Sequence, residues 1–364
     1  MAKGLRVGTF TSPHLERINE RLAADGEPIS DAELAEILTD LAGIEPLLGN
    51  GIRLTWFEIL TGAALRWFAD RPVDVAVFEV GLGGRWDATN VVDAGVAVVT
   101  NIGLDHVEFL GPTRADVAGE KAGIVKPGAT LVLGERDPDL RPIFEREGPA
   151  ELWWAGEEYD CTRNDLAVGG RVLDVRTPQA SYDDVWLDLH GSYQGDNFAA
   201  ALAAAEAFFG GPLDDRLVRE AAATVRSPGR LEIVGHDPLL VLDGAKNLEG
   251  AEQAAAAVSE EFGARSLILV VGMLQGKDPE AMLQALGAGR SRLVVACSPP
   301  SPRAQPAGIL VAAALRLGAH AVEADSVAEA LQVAIDEAGP DDVIVVTGSL
   351  YTVGAARAAL AVRT

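Results

Sequence analysis

The run VDVAVFEVGLGGRWDATN, residues 73 to 90, reads as a buried strand, Val73 to Val80, that ends in a glycine-rich turn. Short β-branched runs of this kind alternate along the chain with Ala- and Leu-rich stretches of helical period, the pattern of a mostly parallel sheet covered by helices. An amphipathic helix from Trp56 to about Ala69 precedes it, and a second buried run, Gly95 to Asn101, follows. Helix, strand, turn and strand in this order place the chain in the α/β class, with a mostly parallel sheet covered by helices.

Toward the N-terminus, Ser30 and Glu33 make a capping-box start for a helix from Asp31 to about Leu48. Toward the C-terminus, residues 129 to 189 hold shorter, turn-rich runs. There ELWWAG, RVLDVRT and VWLDLHG read as strands of a small, antiparallel sheet. Helices are expected from Gly195 to about Phe209 and from Asp214 to Val225. Pro228 and Gly229 in SPGRLE then break the helical pattern and set a domain boundary, giving domains 1–226 and 227–364. Beyond it LLVLDGA, SLILVVGM, RLVVACS and DDVIVVTGS alternate with helices near Glu249 to Phe262, Pro279 to Leu286 and Leu310 to Leu317. That describes a Rossmann-like, doubly wound sheet of about four strands.

Composition narrows the function classes. A chain of 364 residues accommodates two ordinary domains. Lys and Arg total 30 against 54 Asp and Glu, a formal net charge of −24 that argues against a nucleic-acid partner. No stretch reaches the roughly 18 apolar residues of a membrane span, and the first ten residues lack an export signal. Two cysteines, Cys161 and Cys297, exclude a disulfide scaffold and a cysteine-ligated zinc site. These features fit a cytoplasmic protein.

In open α/β sheets ligands bind beyond the carboxyl ends of strands. Glu79 ends the first run, followed by glycines that allow close approach of backbone to a ligand. His106, in IGLDHVEFLG, follows the second run at the same rim, and a carboxylate with an imidazole suits a divalent metal, although a lone loop histidine is commonly a surface residue. Lys121, in EKAGIVKPG, reads by itself as a solvated lysine near the end of a short helix. In the second half DGAKN places Asp243 and Lys246 at a strand end, suited to a ribose hydroxyl and a phosphate, with Arg230 as a charge-stabilising group.

Taken in order, TSPHLERINER (11 to 21), DGEPIS (25 to 30), FEVGLGGRWDATN (78 to 90), IGLDHVEFLG (102 to 111), EKAGIVKPG (120 to 128), YQGDN (193 to 197), PGRLE (228 to 232), DGAKN (243 to 247) and TGSLYTVG (347 to 354) resemble the folylpolyglutamate synthases and bifunctional dihydrofolate synthases of the Mur ligase superfamily. The resemblance implies a two-domain Mur ligase fold and an ATP- and Mg2+-dependent ligase that joins L-glutamate to folate or dihydropteroate through an acyl phosphate. It implies that Glu79 and His106 are magnesium ligands and that Lys121 is a carbamylated lysine acting as a third. Asn197, with its neighbour Gln194, corresponds to the adenine-side ATP contact, and Arg230 and Asp243 to ATP contacts of the second domain. Thr11, Ser12, Pro13, His14 and Leu15 begin the pterin-binding region. Lys246 stands where the family has histidine, and keeps a positive donor near the phosphates. A monomer is expected.

The resemblance also places a GTNGKG-like phosphate loop ahead of KGLRVGTFTSPHL, with Met1 falling inside the tail of the helix after it. A chain lacking that loop is expected to bind ATP and ligate poorly, and to expose apolar surface and unpaired backbone where a central strand would lie. Two other classes compete: a non-catalytic homologue that retains folate or nucleotide binding, and a nicotinamide-dependent oxidoreductase. The second lacks the GxGxxG fingerprint opening a helix after a first strand.

Overall fold

Four short strands, β1 (Val7–Phe10), β2 (Leu22–Ala24), β3 (Glu27–Pro28) and β4 (Val75–Phe78), form the first sheet of the computed structural model, in the order β3-β2-β1-β4. The structure describes residues 1–49, 51–263 and 265–362. β1 runs parallel to β4, with Phe10 opposite Phe78, and antiparallel to β2. The helix Trp56–Asp70 starts on a capping box, Thr55 with Glu58, and buries Leu60, Ala63, Ala64 and Trp67 against Phe10 and Leu22. Spacings of three and four put these residues on one face, and full burial of a side chain such as Leu60 contributes about 1.5–3 kcal/mol. Gly8 lets this helix come down on β1, since a Cβ there would lie 2.8 Å from the ring of Phe68.

The helix expected from Asp31 has its Ser30–Glu33 capping box but stops at Ile44, where a 3-10 turn, Glu45–Leu48, takes over. Pro46 cannot donate the hydrogen bond that would continue the helix. Residues 1–4 form a turn closed by the Gly4 N–H on the Met1 carbonyl, 2.7 Å, rather than the tail of a helix.

β5 (Val96–Val99), β6 (Thr130–Leu133) and β7 (Glu151–Trp154) make a second, wholly parallel sheet. This corrects the expectation for ELWWAG, which joins no small antiparallel sheet. Trp154 instead shares a core with Leu131, Leu133, Val117, Ala118 and Phe144, and four residues are too few for periodicity to reveal that partner. β4 and β5 each have one paired neighbour among the described strands, and Val77 and Val98 in their middles are 55% and 38% exposed.

β8 (Asp160–Ala167), β9 (Gly170–Arg176) and β10 (Ser181–Leu187) form a three-stranded sheet, ordered β10-β9-β8. β9 coincides with the expected run RVLDVRT, β10 lies earlier than VWLDLHG and shares only residues 185–187 with it, and β8, DCTRNDLA, is too polar to read as a strand. The last sheet holds β11 (Glu232–His236), β12 (Leu239–Leu242), β13 (Ser266–Val271), β14 (Leu293–Cys297), β15 (Ala321–Ala324) and β16 (Asp342–Thr347), ordered β11-β12-β16-β13-β14-β15. Every pairing is parallel except β11 with β12. The sheet is therefore six strands wide rather than four. A short edge hairpin supplies β11 and a four-residue run supplies β15. The helix Val327–Glu337, capped by Ser326, has no counterpart among the expected elements.

Contacts divide the chain into two units. The first is Met1–Arg163 with Asp174–Val185 and Asp196–Ala221, and the second is Asn164–Leu173 with Trp186–Gly195 and Ala222–Thr364. Among the described residues no helix is long and apolar enough to cross a membrane.

Candidate active site

β1 and β4 lie side by side and parallel, so the residues after Phe10 and Phe78 emerge at one rim. There the Ser12 N–H donates to a carboxylate oxygen of Glu79 across 2.6 Å, tying the TSPHL segment to the end of β4. Thr11 is held by its N–H on the Arg21 carbonyl, 2.9 Å. The carboxylate of Glu20 collects the N–H groups of Leu15, Glu16 and Arg17 at 2.8, 3.0 and 2.7 Å. The Ser12–Pro13 bond is cis. Glu20 and Arg21 thus shape the segment from within the same motif, a role its residue types alone did not mark.

The glycine-rich turn after Glu79 packs closely on protein. A Cβ on Gly84 would lie 2.8 Å from the Glu120 carbonyl and from Ile124, and one on Gly81 would lie 2.5 Å from the ring of Phe57. The glycines let the loop lie flat on protein. Asp87 gathers the loop by accepting the N–H groups of Gly81 and Leu82, and the Arg85 N–H donates to the Glu120 carbonyl at 2.9 Å. The side chain of Arg85 pairs with Glu147 and donates to the Gly119 carbonyl, while Asn90 donates to the carbonyls of Arg85 and Gly123. The loop after β4 is therefore fastened along the helix Arg114–Ala122, which carries Lys121.

Lys121 is half-buried, not solvated. Burial lowers the pKa of its ammonium, and the opposing pull comes from the charge of Asp105. His106, at φ +53, lies 3.8 Å from the same Asp105 through Nε2. Asp105 thus links His106 and Lys121, and the sequence signal that marks it is its place in the LDH triplet.

Among the described residues no group of three His, Cys, Asp or Glu side chains is placed to hold a metal. A hard cation prefers oxygen ligands. The donor chemistry fits magnesium if Lys121 becomes a carboxylate, because an ammonium has no lone pair to offer a cation.

In the first unit Asn197 lines a small cleft with Thr100, Arg136, Tyr159, Asp160 and Asp196. The Tyr159 hydroxyl is buried and has no hydrogen-bond partner among the described residues. Arg136 bridges Asp160 and Asp196 at 2.6 and 3.2 Å.

In the second unit Gln194 is buried, at the start of the helix Tyr193–Phe209, and its N–H donates to the Gly191 carbonyl. Asp243 is 4% exposed at the end of β12, and its two oxygens accept the N–H groups of Leu231, 3.0 Å, and Ala245, 2.9 Å. Burial pushes its carboxyl up, against the pull of those N–H groups and of Arg230. The Gly244 N–H donates to the Gly229 carbonyl, and a Cβ on Gly244 would meet Leu350 at 2.4 Å. Asp243 therefore staples the PGRLE turn to the DGAKN loop and so sets the place of Arg230. Arg230 and Lys246 are both exposed, and Asn247 caps the helix Leu248–Phe262 directly after Lys246. Tyr193, to which the YQGDN motif assigns no role, is buried within the electrostatic reach of Asp243 and Arg230.

Two sequence models match: the Mur ligase middle domain over residues 50–205 and the Mur ligase glutamate ligase domain over residues 229–350. With a parallel sheet in the first and a doubly wound sheet in the second, these define a Mur-type ligase. A dihydrofolate synthase/folylpolyglutamate synthase from Mycobacterium tuberculosis is 40% identical over 97% of this chain and 80% of its own length. A solved Mycobacterium tuberculosis folylpolyglutamate synthase complexed with ADP superposes with a TM-score of 0.91 at 39% identity, covering 98% of this chain and 84% of that one. A bifunctional folylpolyglutamate synthase/dihydrofolate synthase from Yersinia pestis, complexed with AMPPNP and Mn ion, gives 0.86 at 32% identity, covering 99% and 83%. The chain belongs to the folylpolyglutamate synthase/dihydrofolate synthase family of Mur ligases.

Proposed function

We propose that the protein is an ATP-dependent ligase that adds L-glutamate to the carboxylate of dihydropteroate, of tetrahydrofolate, or of both. Membership of the family supports the reaction. The observation that carries its placement is the hydrogen bond from Ser12 to Glu79, which sets the pterin-side segment beside a proposed magnesium ligand.

In the reaction the pterin substrate's carboxylate oxygen attacks the γ phosphorus of ATP, the bond to the β-phosphate oxygen breaks, and ADP leaves. The amine of glutamate then attacks the acyl carbon and inorganic phosphate departs. Positioning and charge stabilisation carry most of such a transfer. Thr11 to Leu15 hold the pterin side. Gln194 and Asn197 serve the adenine side, with the unpartnered Tyr159 hydroxyl in the Asn197 cleft as further support. Arg230, kept in place by Asp243, and Lys246 face phosphate charge.

Glu79, His106 and carbamylated Lys121 hold magnesium, which when bound neutralises charge on the phosphates. Residues 1–226 are the ATPase-type ligase domain and 227–364 the C-terminal ligase domain. The two short segments 164–173 and 186–195 are counted by their contacts with the latter. A monomer acting on small molecules in the cytoplasm completes the reading, with both cysteines free.

The test is capture of the acyl phosphate. With ATP and the pterin acid but no glutamate, added hydroxylamine should yield the hydroxamate of that acid with one ADP per product. ADP release without hydroxamate would exclude the acyl phosphate route.

A further inference from the structure

Arg171, in β9, is 1% exposed, and a buried guanidinium is retained only where its charge and donors are met. Its Nε donates to the Asn164 side-chain oxygen. One terminal nitrogen donates to the Asn164 carbonyl at 3.1 Å and to Glu260 at 3.0 Å, and the other donates to Glu260 at 3.3 Å and lies 3.5 Å from Glu261. Glu261, 5% exposed along its side chain, accepts the Gly191 N–H at 2.5 Å and the Nδ1–H of His190. Asn164 donates its side-chain amide to the Ser192 carbonyl at 2.6 Å. Three consecutive residues, His190, Gly191 and Ser192, are thereby tied through one network to the last turn of the helix Leu248–Phe262.

Local electrostatics do not explain the two glutamates. Acidic side chains at a helix C-terminus oppose the macrodipole, and that last turn has no basic residue. Their compensation comes from Arg171 and His190, so the arrangement serves the tertiary tie. The tied segment in turn touches the nucleotide-side groups. Gly191 is at φ +94, where a Cβ would lie 2.6 Å from the Tyr193 ring and 2.9 Å from Leu231. Leu231 follows Arg230 and is bonded to Asp243, Tyr193 lies within the electrostatic reach of both charges, and the Gln194 N–H is bonded to Gly191.

We propose that Arg171 is a positioning residue for nucleotide binding: through Glu260, Glu261 and Asn164 it fixes residues 190–192, and these set the places of Gln194 and Arg230. The inference rests on the reading that Gln194 and Arg230 serve ATP. Arg171 itself touches no substrate.

The experiment compares the full chain with Arg171→Met, which keeps the volume, and with Glu261→Gln, which keeps the shape and the Arg171–Glu260 pair. Amide hydrogen exchange over residues 190–194 is read against that of β12, β13 and β16, and ADP affinity is measured by titration. The expected result is exchange at least about tenfold faster over 190–194 with the strands still protected. ADP affinity should fall by about tenfold or more, and Arg171→Lys should recover part of both. Unchanged exchange over 190–194, or a loosened segment with unchanged ADP affinity, overturns the proposal. Should Arg171→Met strip protection from β13 and β16 as well, Glu261→Gln decides by the same two criteria. If the unaltered chain takes up no ADP, the titration is made on the chain extended by a phosphate-loop segment; failure there as well removes the ATP reading, and faster exchange confined to 190–194 still upholds the tie while unchanged exchange overturns it.

Discussion

Arg21 donates its Nε–H to Nδ1 of His14 across 3.0 Å, which requires a neutral imidazole with its proton on Nε2. Burial first, then the Arg21 charge, push the His14 pKa below its ordinary 6.5, with Glu20 partly opposing. The TSPHL segment is therefore built on an uncharged histidine beside a guanidinium.

Because the folded pKa is depressed, the folded state binds fewer protons than the unfolded chain in the window below 6.5. The stability that His14 contributes is complete above 6.5 and is lost as pH falls through the lower folded value. In urea unfolding at about pH 8 and about pH 5.5 the unaltered protein should lose stability on acidification relative to His14→Gln, which keeps an acceptor and has no charge to gain. Parallel pH profiles of the two proteins would remove the basis for this.

Asp243 should matter for folding as well as for ATP. Asp243→Ala leaves the Leu231 and Ala245 N–H groups buried and unpaired, at about 1–3 kcal/mol for each. Asp243→Asn, with one acceptor oxygen, should fall between. Thermal unfolding followed by circular dichroism gives the order, and an Ala variant as stable as the parent would mean that the turn holds Arg230 by other contacts.

How far the sequence foretold this site depends on the kind of interaction. Strand ends were legible because apolar-rich runs announce strands, and Glu79 and Asp243 do follow β4 and β12 directly; the burial expected of 73–80 was not, since β4 covers only Val75–Phe78 and leaves Val77 55% exposed. Contacts between segments distant in sequence were not. Nothing local in GLGGR says that Gly84 leaves room for the Glu120 carbonyl, nor that Asp243 is filled by two backbone N–H groups. The same limit hid β7's parallel partner, the polar strand β8 and the burial of Lys121, whose helix turns it toward Asp105.

In the chain extended by a phosphate-loop segment, Lys121→Ala should abolish glutamate addition while the fold survives, because Ala removes the carbamate without opening the core beyond a half-buried site. A small added carboxylate should restore part of the activity. Mass spectrometry of the intact protein, prepared under carbon dioxide, should show the carbamate adduct on the parent and not on the variant. Full activity of the variant without rescue would end this role.

The most direct measurement is ATP-dependent incorporation of labelled L-glutamate into dihydropteroate and tetrahydrofolate. It is made on the chain and on the chain extended by a phosphate-loop segment of the kind the family resemblance implies. The extended protein should incorporate glutamate into at least one acceptor, with strict dependence on ATP and magnesium. Glu79→Gln and His106→Ala should each cut the rate by about 100- to 1,000-fold, the usual loss when a placed charge-stabilising group is removed. Absence of incorporation into either acceptor, or near-normal turnover by either variant, would contradict the account.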